Sequence, residues 1–89
     1  MEREHIVARL RDFIDQTLLN GQGQDLSDDT PLFDFGILDS FALFRVIAFI
    51  GEEFDLTLPL ESLRTEEFRS IATIADLVHG RVNTAATEV

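Results

Sequence analysis

The chain of 89 residues contains no cysteine, which excludes three kinds of site at once. Without a thiol there is no disulfide, no thiolate nucleophile and no thiolate-rich metal centre. Lysine is absent as well, since all seven basic residues are arginines. Long hydrophobic runs are also missing. The longest apolar stretches are 41–44 and 46–50, whereas a membrane-spanning helix needs about 20 such residues. We therefore expect no membrane span and no chemistry that uses the chain's own thiol.

The amino terminus and the chain length narrow the class of protein further. The first residues, "MEREHIVARL", alternate charged and apolar side chains and lack the apolar block and cleavage site of a secretory signal. This pattern predicts a cytoplasmic protein. With 89 residues and 45% hydrophobic content, the chain can form one core but not a catalytic domain with a separate substrate domain.

Acidic residues are concentrated in the middle of the chain. The formal net charge is −10, and residues 25–67 account for −9 of it, with eleven acids against two arginines. Such a segment would repel a phosphate backbone, so we expect no nucleic-acid partner. The acids could also be no more than the surface of a soluble domain, which composition does not exclude.

The residues needed for catalysis or metal binding are largely missing. The two histidines, His5 and His79, lie near opposite ends of the chain and have no neighbouring pattern typical of a general base. The Gly-x-Ser-x-Gly elbow of hydrolases is absent. The acidic residues over 25–29 do not fit a calcium loop, because no glycine follows at the sixth position. The sequence therefore predicts neither a catalytic site nor a metal site.

Two amphipathic helices are expected in the first two thirds of the chain. Apolar residues follow helical spacing over 4–19, and Gly21 provides an end because glycine tolerates the left-handed conformation. A second helix over 40–54 has one continuous apolar face, composed of Leu43, Val46, Ile47, Ile50 and Phe54. The opposite face is expected to comprise Phe41, Ala42, Arg45, Ala48, Phe49 and Glu52. An outer face this apolar is typical of an interface, although its two phenylalanines could equally pack beneath the preceding loop.

The last third of the chain predicts two more helices and a tail. Alternating leucines over 55–64 have no partner strand, so we expect an extended link and then a short helix over 60–68. Ser70 can cap a final helix that ends near Gly80. Residues 81–89 have little apolar periodicity and are expected to be a disordered tail. The fold class is therefore all-α, a small four-helix bundle with three longer helices and one short helix.

The segment 21–39, "GQGQDLSDDTPLFDFGILD", connects the first two helices. A loop of this length is uncommon unless it is functional or packed. Its apolar residues, expected to pack against the core, are Leu26, Leu32, Phe33, Ile37 and Leu38. At its end, Asp39 and Ser40 adjoin the second helix. Ser40 could be an ordinary N-cap, worth about 1 kcal/mol. It could equally be the attachment point of a phosphate ester, which the N–H groups and dipole of the helix would stabilise.

The order of these features resembles the acyl carrier protein family. The resemblance covers nearly the whole chain and depends on the motif "LFDFGILDSF", followed at the right distance by "EEFDLTLP". It implies that residues 1–80 are a carrier domain with 4′-phosphopantetheine on Ser40, and that Asp39 takes part in recognition by the transferase. The thiol of that arm would hold an acyl or aminoacyl group as a thioester. The chain itself would then be a non-catalytic carrier.

The motif differs from that of fatty-acid carriers. Carriers of that branch commonly read Gly-x-Asp-Ser-Leu, whereas two residues separate Gly36 from Asp39 here and Phe41 follows the serine. The form "LFxxGxLDS" is more similar to stand-alone aminoacyl carriers, including the D-alanyl carrier proteins, and to specialised biosynthetic carriers. Helix positions that are frequently acidic in fatty-acid carriers are occupied here by Ala42, Arg45 and Gly51.

The resemblance also implies partners. These are a phosphopantetheinyl transferase, a ligase that loads the arm, and a downstream transferase or synthase, all acting on a monomer. The residues expected to bind partners are Phe41, Ala42, Arg45, Ala48 and Glu52. Two alternatives remain open, which are a carrier of fatty-acid synthesis and an unmodified acidic interaction domain.

Overall fold

Among the residues that the structure describes, the fold consists of three α-helices, a π-helical extension of the first one and one short 3₁₀ helix. The computed structural model describes residues 2–19, 21, 26–56, 58 and 63–87, and these residues contain no β-strand. The helices are α1 (Arg3–Phe13), α2 (Ser40–Phe54), the 3₁₀ helix (Thr65–Phe68) and α3 (Ile71–Thr87). No helix in the described ranges is long and apolar enough to cross a membrane. The all-α prediction is confirmed, and the four-helix prediction is confirmed in part, because the short helix is a single 3₁₀ turn.

The first helix follows its apolar stripe into the core. Ile6, Leu10 and Ile14 are fully buried, and the helix continues beyond Phe13 as a π-helical segment, Ile14–Leu18. Its end is marked by Gly21, which has a φ of 80° and donates its amide hydrogen to the carbonyl of Asp15 at 2.8 Å. Glycine adopts this left-handed conformation without a steric penalty. The predicted end at Gly21 is confirmed.

The core lies between the three α-helices. Residues with at most 2% exposure from α2, the 3₁₀ helix and α3 are Val46, Ile50, Phe68, Ile71, Ile74, Ala75 and Val78. Phe49 stacks on Phe13 of α1 with 4.3 Å between ring centroids and meets the edge of Phe54 at 6.2 Å. The placement of Phe49 on the outer face of α2 is therefore wrong. An aromatic partner on α1 draws this ring toward the core.

The connection before α2 is packed despite having little regular structure. Leu26, Leu32 and Leu38 are buried, as expected. The amide of Leu32 donates to the carbonyl of Arg69 at 2.7 Å, and the amide of Ala72 in the first turn of α3 donates to the carbonyl of Asp28 at 2.9 Å. The first turn of a helix has N–H groups without an acceptor in the helix. The bond from Ala72 to Asp28 therefore supplies an acceptor to α3 and also ties the loop to it.

Arginines of α1 form ion pairs with α2, with α3 and with the loop before α2. Arg3 pairs with Asp76 of α3 at 2.6 Å, and Arg9 pairs with Glu53 of α2 at 2.8 Å. Arg11 pairs with Asp28 in the loop and also donates to the carbonyl of Leu26. The hydrogen bond from Arg9 holds the pKa of Glu53 below its ordinary value. Such exposed pairs add little free energy, but they fix which surfaces of α1 face each neighbour.

The last two helices differ from their predicted bounds. The short helix covers Thr65–Phe68 instead of 60–68, and residues 59–62 lie outside the described ranges. The capping role of Ser70 is confirmed, since its hydroxyl accepts a hydrogen bond from the amide of Thr73 at 3.3 Å. The predicted end near Gly80 is wrong, because α3 continues to Thr87.

The extension of α3 has a physical basis in the residues around position 80. Val82 packs against the core, so burial favours at least one further turn. A glycine inside a helix costs only about 1 kcal/mol and does not by itself end one. The predicted disordered tail over 81–89 overlaps this helix up to Thr87, and the two residues beyond it lie outside the described ranges.

Replacement of Gly80 tests where α3 ends. Apart from Gly80 itself, its chain neighbours and the backbone of its own helix, no described heavy atom lies within 4 Å of the position that a Cβ would take there. Because alanine is favoured over glycine in an exposed helix by about 1 kcal/mol, Gly80→Ala should raise the melting midpoint by about 4 °C or more. Thermal unfolding followed by circular dichroism measures the change.

Gly36→Ala is the matched control. Gly36 has equally open surroundings but a φ of 73°, so alanine should lower the midpoint there. A lower midpoint for both variants would mean that Gly80 is a left-handed helix terminus after all.

Candidate functional site

The start of α2 is set by the side chain of Asp39. Its Oδ1 accepts a hydrogen bond from the amide of Ala42 at 2.8 Å, and its carbonyl accepts one from the amide of Leu43 at 2.9 Å. The backbone of Asp39 is extended, with φ −130° and ψ −172°, whereas Ser40 is the first helical residue. The N-cap is therefore Asp39, and the interpretation of Ser40 as the cap is wrong. Aspartate and serine cap about equally well, so the backbone conformation decides between them.

Ser40 is exposed, and the described part of the chain leaves its hydroxyl without a hydrogen-bond partner. Within the same part of the chain, the amides of Ser40 and Phe41 also have no acceptor. Unpaired N–H groups and the positive end of a helix dipole favour an anion at this point. An accessible hydroxyl next to such groups can form a phosphate ester whose negative charge is stabilised by the helix.

A tight turn and a buried leucine position Ser40. Ile37 donates its amide to the carbonyl of Leu32 at 2.9 Å, and Gly36 donates to Phe33 at 3.1 Å. With Gly36 in the left-handed conformation, these two bonds form a Schellman motif. Leu38, two residues before Ser40, is only 2% exposed. The backbone just before α2 is therefore held against the core, and this sets the position of Ser40.

Most of the predicted partner-binding row lies on the surface. Phe41 is 73% exposed, and Arg45, Ala48 and Glu52 are exposed as well. Ala42 is the exception at 7% exposure, so its placement on the outer face is wrong. It lies one helical turn before Val46, and its methyl group belongs to the core.

Two exposed phenylalanines near Ser40 were missed by the sequence pattern. Phe35 is 67% exposed and Phe44 is 61% exposed. A sequence signal for Phe44 did exist, because it lies three residues after Phe41 and helical neighbours at this spacing share a face. Phe35 had no such signal, since its exposure depends on the turn that precedes α2.

The other candidate groups lie on different elements. His5 is on α1 and His79 on α3, while Ser40 begins α2. Among the residues that the structure describes, no three histidine or acidic side chains are grouped to hold a metal ion. The chemistry that this surface offers is therefore that of one accessible hydroxyl at a helix start.

Comparison with known proteins assigns this arrangement to a family. The model for the phosphopantetheine attachment site matches residues 8–78, which includes the loop, the Asp39 cap and all of α2. The chain belongs to the phosphopantetheine attachment site family. The carrier is 27% identical over 71 residues to the probable acyl carrier protein PigG of Serratia sp. (strain ATCC 39006), covering 80% of this chain and 82% of that protein.

A second relative and a solved structure are similar to the carrier as well. It is 38% identical over 48 residues to the D-alanyl carrier protein of Lactobacillus acidophilus, covering 52% of this chain and 61% of that protein. One chain of a structure titled "Crystal structure of FAD-dependent dehydrogenase" matches with a TM-score of 0.70 and 35% identity, covering 78% of this chain and 97% of that chain.

These matches confirm the predicted family and prosthetic group. The protein is a carrier that holds acyl or aminoacyl groups on a covalently attached 4′-phosphopantetheine and presents them to other enzymes. The relatives are of the specialised and aminoacyl types, in agreement with the expectation from the motif "LFxxGxLDS". When attached, the group supplies the thiol that the cysteine-free chain lacks.

Substitutions at Asp39 distinguish its role as the helix cap from the effect of its negative charge. Asp39→Ala should lower the free energy of unfolding by about 1 kcal/mol, whereas Asp39→Asn should change it by only a few tenths, because asparagine caps as well as aspartate. Urea denaturation of the unmodified protein measures both. Ser40→Ala is the control and should be near neutral, since the hydroxyl has no partner in the described residues. A loss at Ser40→Ala equal to that at Asp39→Ala would contradict this account.

Proposed function

We propose that Ser40 carries the phosphopantetheine arm. The observation that supports this most directly is the division of roles at the start of α2, where Asp39 caps the helix and leaves the Ser40 hydroxyl accessible. Two other serines are less suited. The hydroxyl of Ser27 hydrogen-bonds Thr30, and Ser70 is 3% exposed with its hydroxyl engaged as a cap. Ser62 lies outside the described residues.

Attachment at Ser40 requires one substitution at phosphorus. The Ser40 oxygen attacks the phosphorus of coenzyme A that bears the pantetheine, the new P–O bond forms, and the bond to the leaving 3′,5′-ADP breaks. The hydroxyl proton passes to a base of the transferase. The amides of Ser40 and Phe41, which have no acceptor in the described part of the chain, could then donate hydrogen bonds to the attached phosphate. We include Asp39 in the surface that the transferase recognises, and we assign catalysis to the partner enzymes.

The mass of the protein tests the attachment site. After incubation with coenzyme A and a broad-specificity phosphopantetheinyl transferase, the wild type should gain the mass of one phosphopantetheine, and Ser40→Ala should gain none. Ser27→Ala and Ser70→Ala serve as controls and should be modified. Modification of Ser40→Ala would refute the assignment. A wild type that stays unmodified would favour the unmodified interaction domain.

The cargo is proposed to be an aminoacyl or specialised acyl group and not a growing fatty acid. Residues 40–51 contain no Asp or Glu and one arginine, so the first three turns of α2 lack the acids typical of fatty-acid carriers, and Glu52 is the first acid of its outer row. The match to a D-alanyl carrier protein supports the same choice. A loading ligase and a downstream transferase or synthase would act on a monomeric carrier in the cytoplasm.

We propose that the row Phe41, Arg45, Ala48 and Glu52 contacts the loading ligase. Because apolar anchors provide most of the binding free energy and rim charges mainly change association rates, Phe41→Ala should slow loading far more than Glu52→Ala. Arg45→Glu should also slow it with little change in stability. Loading rates of the modified variants at two salt concentrations, with circular dichroism as folding control, measure this. Normal loading of Phe41→Ala with a salt-sensitive failure of Glu52→Ala would support the fatty-acid alternative.

A flavin-dependent dehydrogenase is proposed as one downstream partner. The match covers about 69 residues of this chain and 97% of the matched chain. The matched chain in the dehydrogenase structure is therefore only about 71 residues long. A chain of this size forms one small core and has no room for a flavin-binding catalytic domain. We infer that a flavoenzyme oxidises the cargo while the arm holds it. A hydride would pass from the cargo to FAD and a proton to a base of the enzyme.

Flavin reduction tests this partner. The dehydrogenase named in the matched structure should lose its oxidised-flavin absorbance when mixed with carrier bearing one of a panel of acyl and aminoacyl groups. The cargo should lose two hydrogen atoms by mass, and Ser40→Ala should be inactive. The same groups attached to free pantetheine serve as control for the enzyme. If the dehydrogenase oxidises the pantetheine-bound groups but none of the carrier-bound groups, the proposed partnership is wrong.

A further inference from the structure

All seven basic side chains of the chain are arginines, and two of them lie near Ser40. The three arginines of α1 are engaged in ion pairs with other parts of the fold. Arg45 and Arg64 are exposed, and neither forms an ion pair with a residue that the structure describes. The guanidinium groups of these two arginines are therefore presented to solvent.

Both arginines lie within the range of a flexible arm on Ser40. Arg45 is five residues further along α2, which is about 7.5 Å along the helix axis. Leu43, one helical turn from Ser40, lines a pocket of about 180 Å³ whose lining also includes Arg64. An arm that carries its thiol into the active sites of separate enzymes spans such distances. A thioester on this arm therefore meets both side chains repeatedly.

A thioester held near a surface can react with the amines of that surface. A short flexible tether gives its end an effective concentration in the millimolar range. The nitrogen of a neutral lysine amine would attack the thioester carbonyl, so that a C–N bond forms and the C–S bond breaks. The released thiolate takes up the proton that the amine loses. The product is an amide, which the thiol does not reverse, so the cargo would be lost and the lysine blocked.

Arginine supplies the same charge without this reaction. The pKa of a lysine amine is about 10.4, so roughly one amine in 250 is neutral and nucleophilic at pH 8. A guanidinium stays protonated in proteins and has only donors to offer. A positive charge close to the arm is therefore compatible with a thioester cargo when arginine provides it.

We propose, on the basis that Ser40 carries the arm, that Arg45 and Arg64 keep the carrier inert toward its own thioester. They place positive charge within reach of the cargo and offer it no nucleophile. The cargo waits on the arm between the loading ligase and the downstream enzyme, and an acceptor on the carrier itself would shorten the lifetime of this loaded state.

The test uses lysine variants that are loaded with acetyl groups. A broad-specificity phosphopantetheinyl transferase and acetyl-coenzyme A attach the acetylated arm in one step, so the loading ligase is not needed. After incubation at pH 8, hydroxylamine removes acetyl groups that are held as thioesters but not those held as amides. The intact mass then measures the amide-bound acetyl, and peptide mapping locates it.

The wild type should return to the mass of the carrier with a bare arm. Arg45→Lys and Arg64→Lys should each retain at least about tenfold more amide-bound acetyl than the wild type, located at the new lysine. The rate should rise about tenfold from pH 7 to pH 8, because the neutral fraction of an amine rises tenfold per pH unit below its pKa. Circular dichroism of the variants is the folding control.

Arg9→Lys is the matched control. Arg9 pairs at 2.8 Å with Glu53, which lies thirteen residues after Ser40 and therefore about 20 Å further along the axis of α2. A lysine there is distant from the arm and is held protonated by the carboxylate, so it should gain far less acetyl. Arg45→Lys combined with Ser40→Ala, incubated with acetyl-coenzyme A, should gain no more than the wild type, because no thioester is tethered to it.

Two results would overturn the proposal while leaving attachment at Ser40 intact. In the first, hydroxylamine removes all acetyl from both Arg45→Lys and Arg64→Lys. In the second, the wild type accumulates amide-bound acetyl as fast as these variants do, which would show that another group accepts the cargo. A wild type that takes up no acetylated arm would instead refute the attachment site, and the proposal would fall with it.

Discussion

The hydrogen bond from the Ala42 amide to the Asp39 carboxylate decides how the start of α2 can be used. A helix start has several N–H groups that need acceptors, and a capping side chain normally supplies one. Because Asp39 does this, Ser40 becomes the first helical residue and keeps its hydroxyl available. If Ser40 were the cap, its oxygen would be occupied by the backbone. Placing the aspartate before the serine therefore separates the structural role from the chemical one.

The loop before α2 holds this start in position although its described part, residues 26–39, forms no strand or long helix. Leu32 and Leu38 are buried, and backbone bonds join the loop to Arg69 and Ala72. The ion pair from Arg11 adds a contact with α1. Since a buried backbone group without a partner is costly, these bonds make the loop a fixed part of the fold. A rigid loop presents Ser40 with less entropy lost on binding than a mobile one would.

The sequence predicted those features that depend on local periodicity and caps. The buried face of α2, the anchoring leucines of the loop, the end at Gly21 and the Ser70 cap were all readable from spacing and residue type. Features that depend on neighbours across the fold were missed. Phe49 faces inward because Phe13 lies opposite it on another helix. The helix α3 continues beyond Gly80 because Val82 packs against the core.

The acidity of the chain and the exposed phenylalanines near Ser40, which are Phe35, Phe41 and Phe44, act over different distances. Most of the net charge lies between residues 25 and 67, yet the outer face of α2 from Ser40 to Gly51 has one cation and no acid. Charge acts over about one Debye length, roughly 8 Å at physiological salt, and so affects the approach of a partner. Apolar contact acts only once the surfaces touch, and salt screens it little. A carrier that must be recognised by several enzymes can in this way combine a general acidic attraction with an apolar contact close to Ser40, the proposed attachment residue.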